Sequence, residues 1–166
     1  MLYYSSMNIS SSVLILCFKE LILAALLGAF IGLEREWAQK EAGLRTFTLI
    51  SLGSTLFMIL ARLSYSSMIG TSSLDPSRTL GQIIVGIGFL GAGTIIFQRR
   101  EGRVKGLTTA AMMWVTAAIG AAVGLQLYWI AIFTTFLIVI LSFSIIPFEH
   151  HLEKKIEKIK EGKKEK

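Results

Sequence analysis

The sequence predicts an all-α fold, a bundle of about five helices that cross a membrane. Hydrophobic residues make up 53% of the 166 positions, more than a soluble domain of this length can bury. They come in long uninterrupted runs, and a helix needs about 20 mostly apolar residues to span a bilayer. All but one of the basic side chains lie between these runs or in the tail that follows the last one. These observations together predict a polytopic membrane protein, with the lipid bilayer as its surroundings and no nucleic acid as a partner.

Five apolar segments are the predicted spans. They cover about 13–33, 46–61, 80–97, 107–125 and 128–148. The fourth and fifth nearly touch at Gly124-Leu125-Gln126, which predicts a tight helical hairpin. We expect one transmembrane domain over 1–148 and a charged cytoplasmic tail over 149–166.

The distribution of charge predicts the orientation of the chain. With five spans, the loops after the first and third spans lie on the same side as the tail. That side carries fourteen of the 17 basic residues, seven of them in the tail, whereas the other side carries only Arg62 and Arg78. Cytoplasmic loops are enriched in Lys and Arg. We therefore expect the N-terminus outside the cell and the tail in the cytoplasm.

The third span contains the stretch VGIGFLGAG, whose glycines have the spacing of a dinucleotide-binding fingerprint. That fingerprint needs a preceding strand and an aqueous site for a pyrophosphate, and a hydrophobic span offers neither. Small residues four apart instead let membrane helices approach closely. Such pairs recur at Gly28 and Gly32 in the first span and at Gly120 and Gly124 in the fourth. This pattern predicts a tight bundle with the first, third and fourth spans at its centre.

A second interpretation of the third span stays open. Glycine weakens a helix by up to about 1 kcal/mol per residue relative to alanine. Transporters use broken helices to aim backbone carbonyls at a cation. The glycine-rich third span is therefore either a packing surface or a functional break.

Two carboxylates are weak candidates for cation ligands. Glu20 lies within the first span, where a charge costs about 2.5–3.5 kcal/mol at the centre and less near an end. It is either an interfacial residue or a ligand for a cation or a proton. Asp75 precedes Pro76 and is predicted to be the N-cap of the third helix, at the outer mouth where a cation would arrive. Mg²⁺ prefers oxygen ligands, so we expect no cofactor other than this ion. No loop carries a nucleophile–base pair, and no catalytic site is predicted.

Several segments resemble the MgtC/SapB family of bacterial inner-membrane proteins. These segments are GAFIGLERE, AGLRTF, PSR followed by GIGFLGAG, then GLTTAAMMWVTAAIG and VGLQLYW, in consistent order over about 21–141. By this resemblance, the family's motif positions in the first loop are Gly32, Glu34, Arg35, Glu36, Gly43, Leu44, Arg45 and Thr46. Those before and within the third span are Asp75, Arg78, Gln82, Gly86, Gly88, Gly91 and Gly93. Those around the start of the fourth span are Gly106, Thr108, Thr109 and Trp114.

The resemblance implies a multi-pass protein of the inner membrane, in a short form that lacks the ACT-like domain of longer members. Its implied function is not enzymatic. It is the regulation of magnesium or ATP homeostasis through contacts with a membrane partner such as the F-type ATP synthase, in a family that includes virulence factors. A homo-oligomer stays open. The alternative is a transporter or channel for a divalent cation such as Mg²⁺, with Glu20, Asp75 and the third span forming the path.

Overall fold

A computed structural model describes residues 10–67, 75–96 and 105–144 of the protein. These residues form five helices and contain no strand, which confirms the all-α fold. The helices are α1 (Ser11–Trp37), α2 (Leu44–Ser67), α3 (Pro76–Ile96), α4 (Leu107–Gly124) and α5 (Tyr128–Ser144). Within the described ranges, α1 to α4 are long and apolar enough to cross a membrane, and α5 is a shorter apolar helix. The end of the predicted fifth span and the predicted tail lie outside the described residues.

The chain divides into two compact units after Thr135. The first unit contains α1 to α4 and the start of α5, and all contacts discussed below lie within it. The described part of the second unit is the remainder of α5.

Two helices end in a residue with left-handed backbone. Gln39 follows α1 with φ 51°, and Gln126 follows α4 with φ 66°. After α4, the backbone N–H of Leu127 donates to the carbonyl of Ala122 at 2.9 Å, as in a Schellman motif. This turn leads directly into α5 at Tyr128, so the link between the two helices is as short as predicted.

The helix α2 lies between α1 and α4 in the first unit. A Cβ added to Gly28 of α1 would stand 2.6 Å from the carbonyl oxygen of Phe47, and one added to Gly124 of α4 would stand 2.8 Å from that of Thr55. The Thr55 hydroxyl also donates to the carbonyl of Gly120 at 2.6 Å. The glycine interfaces predicted in the first and fourth spans are therefore confirmed, and both contact the backbone of α2.

The predicted central position of the third span is wrong, because α2 occupies it. α3 packs mainly against α4, where Gly91 lies next to Ala110. The other four glycines of α3 have no described atom within 4 Å of where a Cβ would stand: Gly81, Gly86, Gly88 and Gly93. The face of α2 that receives both glycine helices carries Ser51 and Thr55. These short side chains allow the same close approach, and a search for glycine and alanine alone does not find them.

The interpretation of the third span as a broken helix is also wrong. α3 is continuous from Pro76 to Ile96, and none of its described residues has a positive φ. Each glycine lowers helix propensity by about 1 kcal/mol. An unpaired backbone group in lipid costs several kcal/mol, so the hydrogen-bonded helix is retained.

Candidate functional site

A buried carboxylate connects α1, α2 and the link between α4 and α5. Glu20 is only 1% exposed. Nη1 and Nη2 of Arg62 donate to its two oxygens at 3.0 and 2.9 Å. Nε2 of Gln126 and the hydroxyl of Tyr128 each donate to Oε1 at 3.0 Å, and Arg62 also donates to the carbonyl of Gly124 at 2.8 Å. We call Glu20, Arg62, Gln126 and Tyr128 the Glu20 cluster.

The Glu20 cluster compensates a charge that would otherwise be costly. Removing a carboxylate from water costs several kcal/mol unless a partner and further hydrogen bonds replace the lost hydration. The Arg62 side chain is 24% exposed, so the cation keeps some contact with its surroundings while it neutralises Glu20. The guanidinium donates to both oxygens of Glu20, so a cation that binds there would have to displace these hydrogen bonds. The cluster therefore acts as a polar clamp between helices.

Sequence reasoning missed three members of this cluster: Arg62, Gln126 and Tyr128. The predicted second span stopped at about residue 61, which assigned Arg62 to the outer loop, whereas α2 continues to Ser67. A signal was present, because charged residues within spans tend to pair with one another. Glu20 and Arg62 are of opposite sign and lie near the same predicted membrane surface.

The GLERE motif forms a second buried polar group at the other end of α1. Glu34 and Arg35 are 4% and 2% exposed and make a two-point ion pair. Oε2 of Glu36 accepts the backbone N–H of Leu44 at 2.9 Å, at the start of α2. A Cβ at Gly43 would lie 2.8 Å from the same oxygen. These motif residues thus fix the turn between α1 and α2.

A hydrogen bond ties this turn to α4. The hydroxyl of Thr109 donates to Oε2 of Glu41 at 2.7 Å. Burial alone would raise the pKa of Glu41. The Thr109 hydroxyl, a backbone N–H and the charges of Lys40 and Lys105 together hold that pKa below its usual value. Thr108, the preceding motif residue, is exposed.

Asp75 forms the predicted cap of α3. Its Oδ1 accepts the backbone N–H of Ser77 at 2.8 Å, and α3 begins at Pro76. The hydroxyl and backbone N–H of Ser77 hold the pKa of Asp75 below its usual value. Arg78 and Asp75 line the same small cavity of about 290 Å³. Across the described ranges, no three His, Cys, Asp or Glu side chains form a group that could hold a metal ion.

An open groove of about 600 Å³ lies between α2 and α3. Most of its lining is apolar. Arg45 and Thr46 line it near the start of α2, Gln82 lines it near the start of α3, and Gly86 lies in its wall. We call this cavity the α2–α3 groove.

Gly32, Gly106 and Trp114 are further family-motif residues. Gly32 contacts α2, where its Cβ would stand 2.6 Å from Cα of Leu44. Gly106 precedes α4 with φ 87°, a backbone conformation that glycine adopts readily. Trp114 is 48% exposed and lines a cavity of about 230 Å³ between α3 and α4.

The chain is similar in sequence to several known bacterial proteins. The model of the MgtC family matches residues 21–151. The putative magnesium transporter YhiD of Escherichia coli (strain K12) is 40% identical over 143 residues, which cover 81% of this chain and 66% of YhiD. Protein SrpB of Synechococcus elongatus is 43% identical over 123 residues, covering 70% of this chain and 68% of SrpB. Protein MgtC of Salmonella typhimurium (strain LT2) is 45% identical over 120 residues, covering 72% of this chain and 48% of that protein.

The chain thus spans about two thirds of the length of YhiD and about half that of MgtC. No solved structure matches it. The family model covers most of the chain, and four described helices are long and apolar enough to cross a membrane. The chain belongs to the MgtC family and is a multi-pass membrane protein.

Proposed function

We propose that this chain is a non-catalytic regulator in the bacterial inner membrane. It adjusts magnesium and ATP homeostasis through contacts with membrane proteins, among them the F-type ATP synthase. The magnesium element is supported by the name of the relative YhiD, a putative magnesium transporter. The regulatory part of the proposal is supported by the buried carboxylates, which are held in ion pairs and hydrogen bonds within the chain.

The observation that carries the proposal is the pairing of Glu20 with Arg62. A cation path needs oxygen ligands that can exchange water for the ion, whereas both oxygens of Glu20 accept hydrogen bonds from a guanidinium. The carboxylates of the α1–α2 region are similarly engaged: Glu34 with Arg35, Glu36 with a backbone N–H, and Glu41 with Thr109. These bonds favour a fixed scaffold over ion movement or acid–base chemistry.

An outward stripe on α3 provides a surface for contacts with a partner. Gly81, Val85, Gly88 and Ala92 are exposed and recur at helical spacing, so they share one face. Neither Gly81 nor Gly88 has a described atom within 4 Å of a Cβ position. Because lipid tails are as apolar as leucine, membrane helices associate through close packing at such small residues. A partner helix or a second copy of the chain would use this stripe.

The alternative is a transporter or channel for a divalent cation, and the α2–α3 groove is the feature that favours it. Thr46, Ser54, Thr79 and Gln82 contribute oxygen atoms to its lining. The cavity beside Asp75 shares Thr79 with the groove, which places a carboxylate at one end. Since Mg²⁺ retains several waters, hydroxyl and amide oxygens of this kind can accommodate the hydrated ion.

Uptake of radioactive Mg²⁺ by liposomes that contain the purified protein separates the two functions. Under the regulatory proposal, uptake equals that of empty liposomes. Asp75→Asn, Gln82→Ala and Glu20→Gln test the alternative path, and Gly88→Ala is the control outside the groove. Uptake that Asp75→Asn or Gln82→Ala abolishes and Gly88→Ala preserves would establish transport and refute the regulatory proposal.

The regulatory activity is measured as ATP synthesis in membrane vesicles with and without the protein. We expect the wild type to change the rate, and we expect Gly88→Leu and Val85→Ala to remove the effect because they alter the α3 stripe. Leu26→Ala is the matched control, because Leu26 is a comparably exposed apolar side chain on α1. An unchanged rate with the wild-type protein would exclude the synthase as its target.

A further inference from the structure

We propose that the α2–α3 groove binds one anionic phospholipid, with the headgroup phosphate at Arg45 and an acyl chain lying along the groove. This proposal goes beyond the proposed function, which involves a protein partner on the opposite face of α3. Its basis is the length of the groove, its lining and the charge at its end.

The groove is about as long as the hydrocarbon of one lipid leaflet is thick. Its α2 wall runs from Arg45 to Phe57, twelve residues later, which corresponds to about 18 Å at 1.5 Å per residue. Its α3 wall runs from Thr79 to Leu90, about 17 Å on the same basis. The hydrocarbon of one leaflet is about half of the 30 Å core. An acyl chain that enters beside Arg45 can therefore lie along the groove toward Thr79, near the start of α3.

The lining suits an acyl chain. Leu49, Ile50, Ile87 and Leu90 line the half of the groove nearest Arg45. Gly53 of α2 and Gly86 of α3 both line the groove, and neither has a described atom within 4 Å of a Cβ position. The glycines leave a channel that any larger side chain would narrow. The neutral side chains Ser54, Thr79 and Gln82 line the far end.

The charge at the Arg45 end selects an anionic headgroup. Arg45 is exposed in the first turn of α2, and no Asp or Glu of the described chain lines the groove. A guanidinium can bind a phosphate through two parallel hydrogen bonds. Arg78, near the far end, has the Asp75 carboxylate beside it, which offsets its charge. The expected orientation places Arg45 on the cytoplasmic side, where anionic lipids are abundant.

Native mass spectrometry of the purified protein, titrated with phosphatidylglycerol or phosphatidylcholine, tests the proposal. The wild type should retain one phosphatidylglycerol in preference to phosphatidylcholine. Arg45→Gln should reduce this preference about fivefold, the usual contribution of one basic residue at a charged membrane surface. Gly86→Leu should abolish the bound lipid because the new side chain occupies the channel.

Matched controls separate the groove from the rest of the surface. Gly81→Leu makes the same change at an exposed glycine outside the groove, and Arg78→Gln removes a cation at the far end. Both should bind phosphatidylglycerol like the wild type. Gly53→Leu blocks the groove from α2, and circular dichroism checks that each variant keeps its helices.

The proposal is overturned if the wild type does not distinguish the two lipids. It is equally overturned if Gly86→Leu and Gly53→Leu, both folded, bind phosphatidylglycerol like the wild type, or if Arg78→Gln rather than Arg45→Gln removes the preference. None of these results bears on Mg²⁺ uptake or on ATP synthesis. The lipid proposal and the proposed function can therefore fail independently.

Discussion

Replacing Gly28 with alanine should force α1 away from α2. The new Cβ would stand 2.6 Å from the carbonyl oxygen of Phe47 and 2.8 Å from Cβ of Ser51. A side chain could rotate away from such a contact, but the carbonyl belongs to the helix backbone and cannot. The two helices must therefore separate by some tenths of an ångström. Gly88→Ala makes the same chemical change on α3, where no described atom lies within 4 Å.

The two variants should differ in sign as well as in size. Overpacking of a tight interface costs about 1–3 kcal/mol of stability. Because the backbone carbonyl cannot move aside, we expect a cost near the upper end of this range. Alanine within a helix is more stabilising than glycine by up to about 1 kcal/mol. We therefore expect Gly28→Ala to destabilise the protein by about 2 kcal/mol and Gly88→Ala to stabilise it by up to about 1 kcal/mol. At about 2–4 °C per kcal/mol, their midpoints should lie about 6–12 °C apart.

Thermal unfolding in detergent, followed by circular dichroism, measures the difference. The wild-type midpoint should fall between those of the two variants. Equal midpoints, or a Gly28→Ala variant that is more stable than Gly88→Ala, would refute the reasoning. Either result would mean that α1 and α2 do not touch backbone to backbone.

Three further predictions concern the polar groups. Arg62→Gln should cost about 3–5 kcal/mol of unfolding free energy, because Glu20 is left buried without its cation. Adding Glu20→Gln to this variant should recover part of the lost stability. If the stability losses of the two substitutions simply added, Glu20 and Arg62 would not be coupled. The folded pKa of Glu41 lies below its ordinary value of 4.5. The contribution of ionised Glu41 to stability should therefore be complete above that pH and be lost as the pH falls through the folded pKa. The unfolding free energies of the wild type and of Glu41→Gln should accordingly become equal in acid. In a Thr109→Val background, the difference between them at neutral pH should be smaller. Asp75→Ala should speed amide hydrogen exchange in the first turn of α3, whereas Asp75→Asn, which retains a capping oxygen, should not.

The sequence was sufficient for features that depend on local pattern. Apolar runs of span length identified the helices, and the Asp75–Pro76 pair identified the start of α3 because a cap and its proline are adjacent in the chain. The tight turn at Gln126 followed from the shortness of the link between two spans. Each of these features is decided within a few residues.

Features that depend on which helices are neighbours were not predictable in the same way. The glycine pairs of α1 and α4 showed that these helices pack closely but did not show against what. Their common partner is α2, whose contacting face includes Ser51 and Thr55 and no glycine among the contacts of these pairs. The Glu20 cluster was missed because its partners are 42 to 108 positions away in the chain. No local pattern connects residues that far apart.

α3 is rich in glycine, but most of its glycines do not pack against the rest of its unit. They lie on two faces of the helix. Gly86 lines the groove toward α2, and Gly88 belongs to the outward stripe. Two residues advance a helix by about 200°, so these glycines point in nearly opposite directions. Each glycine weakens the helix without a compensating contact in the described chain, and under the two proposals its benefit comes from a bound lipid or a partner helix on that side. A lipid in the groove and a partner helix on the stripe would not compete, because they approach from opposite faces. Gly86→Leu should therefore affect lipid retention and leave the change in ATP synthesis intact, and Gly88→Leu should do the reverse. A single variant that removes both activities, while keeping its helices, would show that the two faces do not act separately.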